Sequence, residues 1–238
     1  MKTQELFRED AALCECEAQV LALSEGGVIL ERTVFYPQGG GQAGDAGVLH
    51  GIDGRAFVVI DTRKSKEHPG AVLHLLAPDA AGPEVGMVVT ARIDAERRRA
   101  HMRFHTATHL LCALVPHPVD GCSITAGYAR LDFHMSEPLD KEALSAGIAR
   151  LVAEAHAVSH RWISEAELDA NPGLVRSMSV QPPRGQGRIR VLNIDGVDVQ
   201  PCGGTHVSNT GEIGHVVVTK IEKKSAMTRR VVLGFAGA

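Results

Sequence analysis

Two short motifs, roughly a hundred residues apart, constrain this chain more than anything else in it. The first lies in Arg97 to Leu114, RRRAHMRFHTATHLLCAL, predicted as a single helix. Ala107, Leu110, Leu111 and Leu114 recur at i, i+3, i+4 and i+7, an apolar stripe that packs on a core. His105 and His109 stand one turn apart on the other side, a spacing that lets two imidazoles reach one cation. Alone this pair says little, because two histidines four apart are more often solvated or hydrogen-bonded. The second motif is Cys202-Gly203-Gly204-Thr205-His206, opened by Pro201, with glycines that allow a tight turn between its end residues. Together they offer three imidazoles and one thiolate. That donor set in a tetrahedral arrangement selects Zn²⁺ over Mg²⁺ or Ca²⁺, which want oxygen ligands. The expected metal ligands are therefore His105, His109, Cys202 and His206, and the fold must bring a helix and a distant loop to one point.

Several other residues near the motifs receive plainer readings. His101 and Cys112 also fall near the ligand face and are read as supporting or solvated groups, since four ligands already complete a zinc shell. His117, His134, His156, His160 and His215 have no spacing argument. The motif His105-Thr106-Ala107-Thr108-His109 lacks the glutamate that follows the first histidine in zinc peptidases, which disfavours a peptidase.

The remaining composition bounds the class. With 238 residues, 44% hydrophobic and 22% charged, the chain is globular and long enough for one or two domains. Aromatics are only 4%, too few for a base-stacking platform, and a net charge of −3 argues against a protein that coats nucleic acid. Basic residues are nevertheless clustered: Arg92, Arg97, Arg98, Arg99 and Arg103; Lys220, Lys223, Lys224, Arg229 and Arg230; Arg184, Arg188 and Arg190. Five cysteines without a disulfide spacing, a charged N-terminus and no membrane-length apolar run lead to an expectation of a cytoplasmic protein.

The expected organisation is α+β in two domains. Residues 1–94 alternate as short strands around glycine and proline turns, including a hairpin at Ser24-Glu25-Gly26-Gly27, and are expected to form a small β-barrel. Inside it, Tyr36 to Asp45 (YPQGGGQAGD) is too glycine-rich for a strand and fits a close backbone approach or a tight turn. Residues 95–238 are expected to hold the ligand helix, a hairpin over Ser123 to His134, and an amphipathic helix from Lys141 to about Ser159. A short helix near Ser164 to Leu168, the hairpin around Asp195-Gly196 and two closing strands complete a sheet with two helices.

HTATHLL followed by CGGTHVSNTGEIG resembles the editing domain of alanyl-tRNA synthetases, a module shared with threonyl enzymes. No synthetase catalytic domain is expected in this chain, so it most resembles the freestanding AlaX-type editing proteins. The resemblance implies an N-terminal barrel followed by a zinc-binding editing domain, and a hydrolase that deacylates mischarged tRNA(Ala), Ser-tRNA(Ala) first and Gly-tRNA(Ala) second. It implies that Gly39, Gly40, Gly41 and Gln42 help hold the aminoacyl end and that Thr33 faces the amino-acid side chain. No catalytic residue is assigned; the attacking group is a water positioned at the zinc site. Phosphate contacts are expected from Arg97, Arg98, Arg99, Lys223, Lys224, Arg229 and Arg230. Two alternatives stay open: a zinc-stapled tRNA-binding module without chemistry, and a zinc-dependent hydrolase of small esters.

Overall fold

The computed structural model describes residues 1–78, 82–175 and 187–237. Arg184 lies outside them. The chain forms two compact units: residues 1–39 with 43–99, and residues 40–42 with 100–238.

The first unit is a six-stranded barrel. Its strands are β2 (Glu15–Ser24), β3 (Gly27–Leu30), β5 (Gly47–Gly51), β6 (Ala56–Lys64), β7 (Val72–Leu76) and β8 (Val88–Ile93), closed in the order β2-β3-β7-β6-β5-β8. A parallel bridge of β1 (Gln4–Glu5) to β4 (Arg32–Thr33) lies beside it. Strand period fills the barrel: on β6, Phe57 and Val59 point inward and Val58 and Ile60 outward, and the inward set joins Val20, Leu30, Phe35, Leu49 and Val89. The β2–β3 hairpin turns through Glu25 (φ 49°) and Gly26 (φ 79°), the paired positive angles of a two-residue turn that follows strand twist. Arg63 and Lys64 complete β6 by pairing with Leu73 and Val72 of β7.

Two buried polar features hold this unit. Asp45 closes the glycine-rich segment by accepting from the backbone N–H of Tyr36 at 2.7 Å and from the guanidinium of Arg98. Arg98 also donates to the carbonyls of Ala11 and Val34 at 2.7 and 2.6 Å. His74 is fully buried, its Nδ1–H donating to Val28 O at 3.1 Å, which leaves Nε2 to accept from the Thr33 hydroxyl at 2.7 Å.

In the second unit, β9 (Val119–Ile124), β10 (Ala129–His134), β14 (Val216–Ser225) and β15 (Thr228–Phe235) make an antiparallel sheet in the order β14-β15-β10-β9. A second sheet has the order β11-β12-β13, from β11 (Val158–Ile163), β12 (Ile189–Ile194) and β13 (Asp198–Pro201). Helix α1 (Ala95–Leu114) runs across the boundary after Arg99; α2 (Lys141–Ala153) and α3 (Glu165–Ala170) follow.

Helix α1 differs from the two-faced helix read in the sequence. Residues 101–112 are buried except Arg103, the histidine side as well as the apolar stripe. On the histidine side, the imidazoles of His105 and His109 and the hydroxyls of Thr106 and Thr108 find partners within the protein. Helix α2 stops at Ala153, short of the expected Ser159. Ala155 adopts φ 54°, and Asn209 and Thr210 take up the backbone groups of Ala155 and His156, releasing the chain into β11. A second sheet thus stands where one was expected, and the short helix expected near Ser164 to Leu168 forms as α3.

The depressed pKa of His74 makes a pH prediction. Burial pushes it down to about 4 from its ordinary 6.5, against the hydrogen bond to Val28 O. The unfolded chain therefore takes up this proton first as pH falls. Stability is complete above about 6.5 and is lost as pH falls toward about 4, by about 1.4 kcal/mol per pH unit. Urea denaturation across that window should show the decline, and the NMR titration of His74 should show it neutral at pH 5.

Candidate metal centre

The four expected ligands converge. Their donor atoms all lie within 4.8 Å of one another. Cys202 Sγ is 3.4 Å from His105 Nε2 and 3.2 Å from His206 Nε2. A tetrahedral zinc, with Zn–S of about 2.3 Å and Zn–N of about 2.0 Å, separates such atoms by roughly 3.5 Å. Local structure explains the convergence. His105 and His109 stack 5.6 Å apart along α1, while Cys202 follows β13 directly, its N–H donating to Arg190 O at 3.0 Å. After His206 the chain is pinned by a capping box, in which Asn209 and Glu212 satisfy the start of a short 3-10 helix at Thr210–Ile213.

Each imidazole is held by its other nitrogen. His109 Nδ1–H donates to Asp198 Oδ2 at 2.8 Å, and Gln200 Nε2 donates to the same oxygen at 2.8 Å. His105 Nδ1–H donates to Gln42 Oε1 at 2.7 Å. The Thr106 hydroxyl spends its proton on Met102 O at 2.9 Å, so at 3.4 Å it accepts from His206 Nδ1–H. All three rings thus turn an Nε2 lone pair toward the thiol, the tautomer a metal requires. The residues present fit Zn²⁺: one soft donor, three imidazoles, and oxygen acceptors behind the rings.

The electrostatics agree. Burial alone would raise the Cys202 thiol, but the imidazoles of His105 and His206 outweigh it and hold the thiol well below its ordinary value. Burial would lower His109, yet Asp198 and Cys202 raise it to about 9. Burial drives His206 well down against the pull of Cys202. A metal cation would therefore compete with protons for the same buried donors. Burial also pushes Cys122, on β9, up to about 12, which leaves it an inert thiol.

The other expected site residues are placed as follows. Gly39 O accepts from the Tyr36 hydroxyl at 2.8 Å. Gly40 and Gly41 have φ of 58° and 86°, and Gly41 O accepts from Ile124 N at 2.8 Å. A Cβ on Gly41 would lie 2.8 Å from Cys122 Sγ, so the close neighbour of the glycine run is the protein's own β9. Gln42 is fully buried with its amide bonded to His105 and Thr205. Thr33 is fully buried too, donating to His74 and accepting from Phe35 N at 3.0 Å.

The basic residues divide by burial. Arg98 requires correction as a phosphate ligand: it is 2% exposed and its guanidinium is committed to Asp45. Arg229 is buried against the carbonyls of Ser225, Ala226 and Ser136, and Arg230 makes a two-pronged pair with Asp132. Arg97 reaches Gly44 O. Arg99, Lys223 and Lys224 are exposed. Sequence reasoning missed Asp198, Gln200 and Thr106, whose hydrogen bonds across the unit leave no spacing signal.

Sequence comparisons relate the chain to modules of the threonyl- and alanyl-tRNA synthetases. Residues 189–232 match the family model described as the threonyl and alanyl tRNA synthetase second additional domain, and residues 6–97 match that of the class II (A) tRNA synthetases. The alanyl-tRNA editing protein AlaX-M of Methanosarcina mazei is 33% identical over 242 residues, covering 96% of this chain and 95% of that protein. Its counterpart in Methanosarcina acetivorans is 32% identical, covering 96% and 97%. The alanine–tRNA ligase of Pyrococcus furiosus is 35% identical over 97% of this chain, which spans only 25% of that ligase. This chain belongs to the family of AlaX-M alanyl-tRNA editing proteins.

Gly204 offers a direct test of the geometry. A Cβ there would lie 2.2 Å from His105 Cε1 and 2.4 Å from its Nδ1. Gly204→Ala should therefore displace the ring and cost about 1 to 3 kcal/mol as overpacking. Zinc content should fall well below one equivalent by elemental analysis; a fully loaded variant would contradict this geometry.

Proposed function

We propose that the chain is a zinc-dependent editing hydrolase that deacylates mischarged tRNA(Ala) in the cytoplasm, Ser-tRNA(Ala) first and Gly-tRNA(Ala) second. What carries the reading is the set of three pre-oriented imidazoles and a thiolate, in a family whose relatives are named for alanyl-tRNA editing. Among the described residues no helix is long and apolar enough to cross a membrane.

The bond at issue is an ester. Water adds to the carbonyl carbon, and the ribose oxygen leaves with a proton, giving free amino acid and uncharged tRNA. Zinc, held by His105, His109, Cys202 and His206, would supply Lewis acidity and a fixed point for positioning. Gln42, Asp198 and Thr106 keep the rings oriented. An ester is reactive enough that placement of water and carbonyl supplies much of the acceleration. Incubating the purified chain with Ser-tRNA(Ala), Gly-tRNA(Ala) and Ala-tRNA(Ala) should show rapid ester loss from the first two and little from the third.

One observation favours a second reading. Four protein ligands are the usual arrangement of structural zinc, which suits a tRNA-binding module without chemistry. Ester loss no faster than in buffer for every mischarged tRNA(Ala) would favour that module. Hydrolysis of free amino-acid esters at the same rate would favour a small-ester hydrolase.

Serine is larger than alanine, so its selection needs a reward for the hydroxyl. Thr33 is proposed for this role through the one lone pair left free by His74 and Phe35. Thr33→Val should slow Ser-tRNA(Ala) hydrolysis more than Gly-tRNA(Ala) hydrolysis, with the thermal midpoint reporting any loss of the His74 bond. An unchanged ratio removes Thr33 from selectivity.

Phosphate contacts are proposed for Arg99, Lys223 and Lys224, which are exposed, with Arg97 contributing from its bond to Gly44. Each cation removed should flatten the slope of log affinity against log salt by about one unit. Wild type and a Lys223→Ala, Lys224→Ala double variant with identical slopes would place the RNA elsewhere.

A further inference from the structure

We infer that Gln42 is a positioning residue of the metal centre, binding the two halves of the ligand set to each other. Its amide oxygen accepts from His105 Nδ1–H at 2.7 Å and from the Thr205 backbone N–H at 3.1 Å. Its amide nitrogen donates to the Thr205 hydroxyl at 2.9 Å. One side chain therefore holds the ring of a ligand on α1 and the backbone beside a ligand in the Cys202–His206 loop. The donor at Thr205 N also settles which end of the amide is oxygen.

The surroundings are shaped around this contact. A Cβ on Gly204 would stand 2.9 Å from Gln42 Oε1 as well as against the His105 ring, so the bare backbone there is the space the bond occupies. Gly41, at φ 86°, passes too close to Cys122 for a side chain and is tied to Ile124, which fixes the approach of Gln42. Gln42 is fully buried, and one amide hydrogen is all that these three bonds leave over. Charge accounts for an amide here. Thiolate and Asp198 carboxylate already balance a divalent cation, and a carboxylate at position 42 would add a buried negative charge beyond that balance.

The inference rests on the zinc reading above, not on deacylation, so it is tested by metal affinity. Zn²⁺ is titrated into the full chain in competition with a chromophoric chelator, and Co²⁺ reports ligand symmetry through its visible bands. Gln42→Leu should weaken zinc by about 10- to 100-fold and shift the Co²⁺ bands. Gln42→Glu keeps both acceptor positions at the cost of the buried charge and should bind zinc more tightly than Gln42→Leu. If Gln42→Leu does not fold, Gln42→Asn, too short to reach His105, takes its place and should bind more weakly than Gln42→Glu. A folded Gln42→Leu with wild-type affinity, or Leu, Asn and Glu variants all equally weak, overturns the inference by reducing Gln42 to a packing residue. A wild-type chain that takes up no zinc overturns this inference and the zinc reading together, whereas normal uptake with no ester hydrolysis leaves it standing and removes only the enzymatic reading.

Discussion

The second unit depends on three hydrogen bonds made on the far side of its imidazoles. A neutral histidine presents a lone pair inward only if its other nitrogen keeps a proton and has somewhere to put it. Asp198 serves His109, Gln42 serves His105 and Thr106 serves His206. Each acceptor comes from a different place in the chain: a strand end, a glycine loop and the ligand helix itself. Burying them forces the histidine side of α1 inward, so the helix is enclosed where an ordinary amphipathic helix would meet water. The capping box after His206 and the turn after α2 share Asn209, with Thr210 holding His156, and thus fix the loop that completes the set.

The first unit places its polar groups differently. Its barrel buries the pair of Arg98 and Asp45 and the neutral His74 among aliphatic strands. Removing one partner of such an ion pair costs about 3 to 5 kcal/mol, although an apolar pair of the same shape is often as stable. The pair also sets conformation: Asp45 fastens both ends of the segment from Tyr36 to Asp45, so the glycines between them are presented as a closed loop.

What the sequence made legible was whatever repeats at short range. Strand alternation marked the barrel, and two spacings of four marked the ligands, because helix and turn geometry turn such spacings into proximity. What it hid depends on contacts between distant residues. Gln42 and His105 are 63 apart and His109 and Asp198 are 89 apart, separations that carry no period. Arg98 was misread for a different reason. Three successive arginines look like a phosphate patch, but Arg98 precedes His101, Met102 and His105 by three, four and seven residues, the period of one helix face. That face is buried, and Arg98 is buried with it. The end of α2 was hidden because Ala155, an excellent helix former, is turned into a left-handed conformation by Asn209 and Thr210, which come much later in the chain.

The separation between Gln42 and Thr205 has a consequence for biosynthesis. The two are 163 residues apart. At ordinary elongation rates roughly ten to thirty seconds pass between their emergence from the ribosome. Until residue 105 emerges the Gln42 amide has no partner, and from residue 109 to residue 202 two imidazoles offer half a coordination shell. Zinc captured early by His105 and His109 would be held by two ligands only, weakly and exchangeably. A centre of four donors would become selective only when the Cys202–His206 loop arrives, so discrimination between metals would wait for that loop.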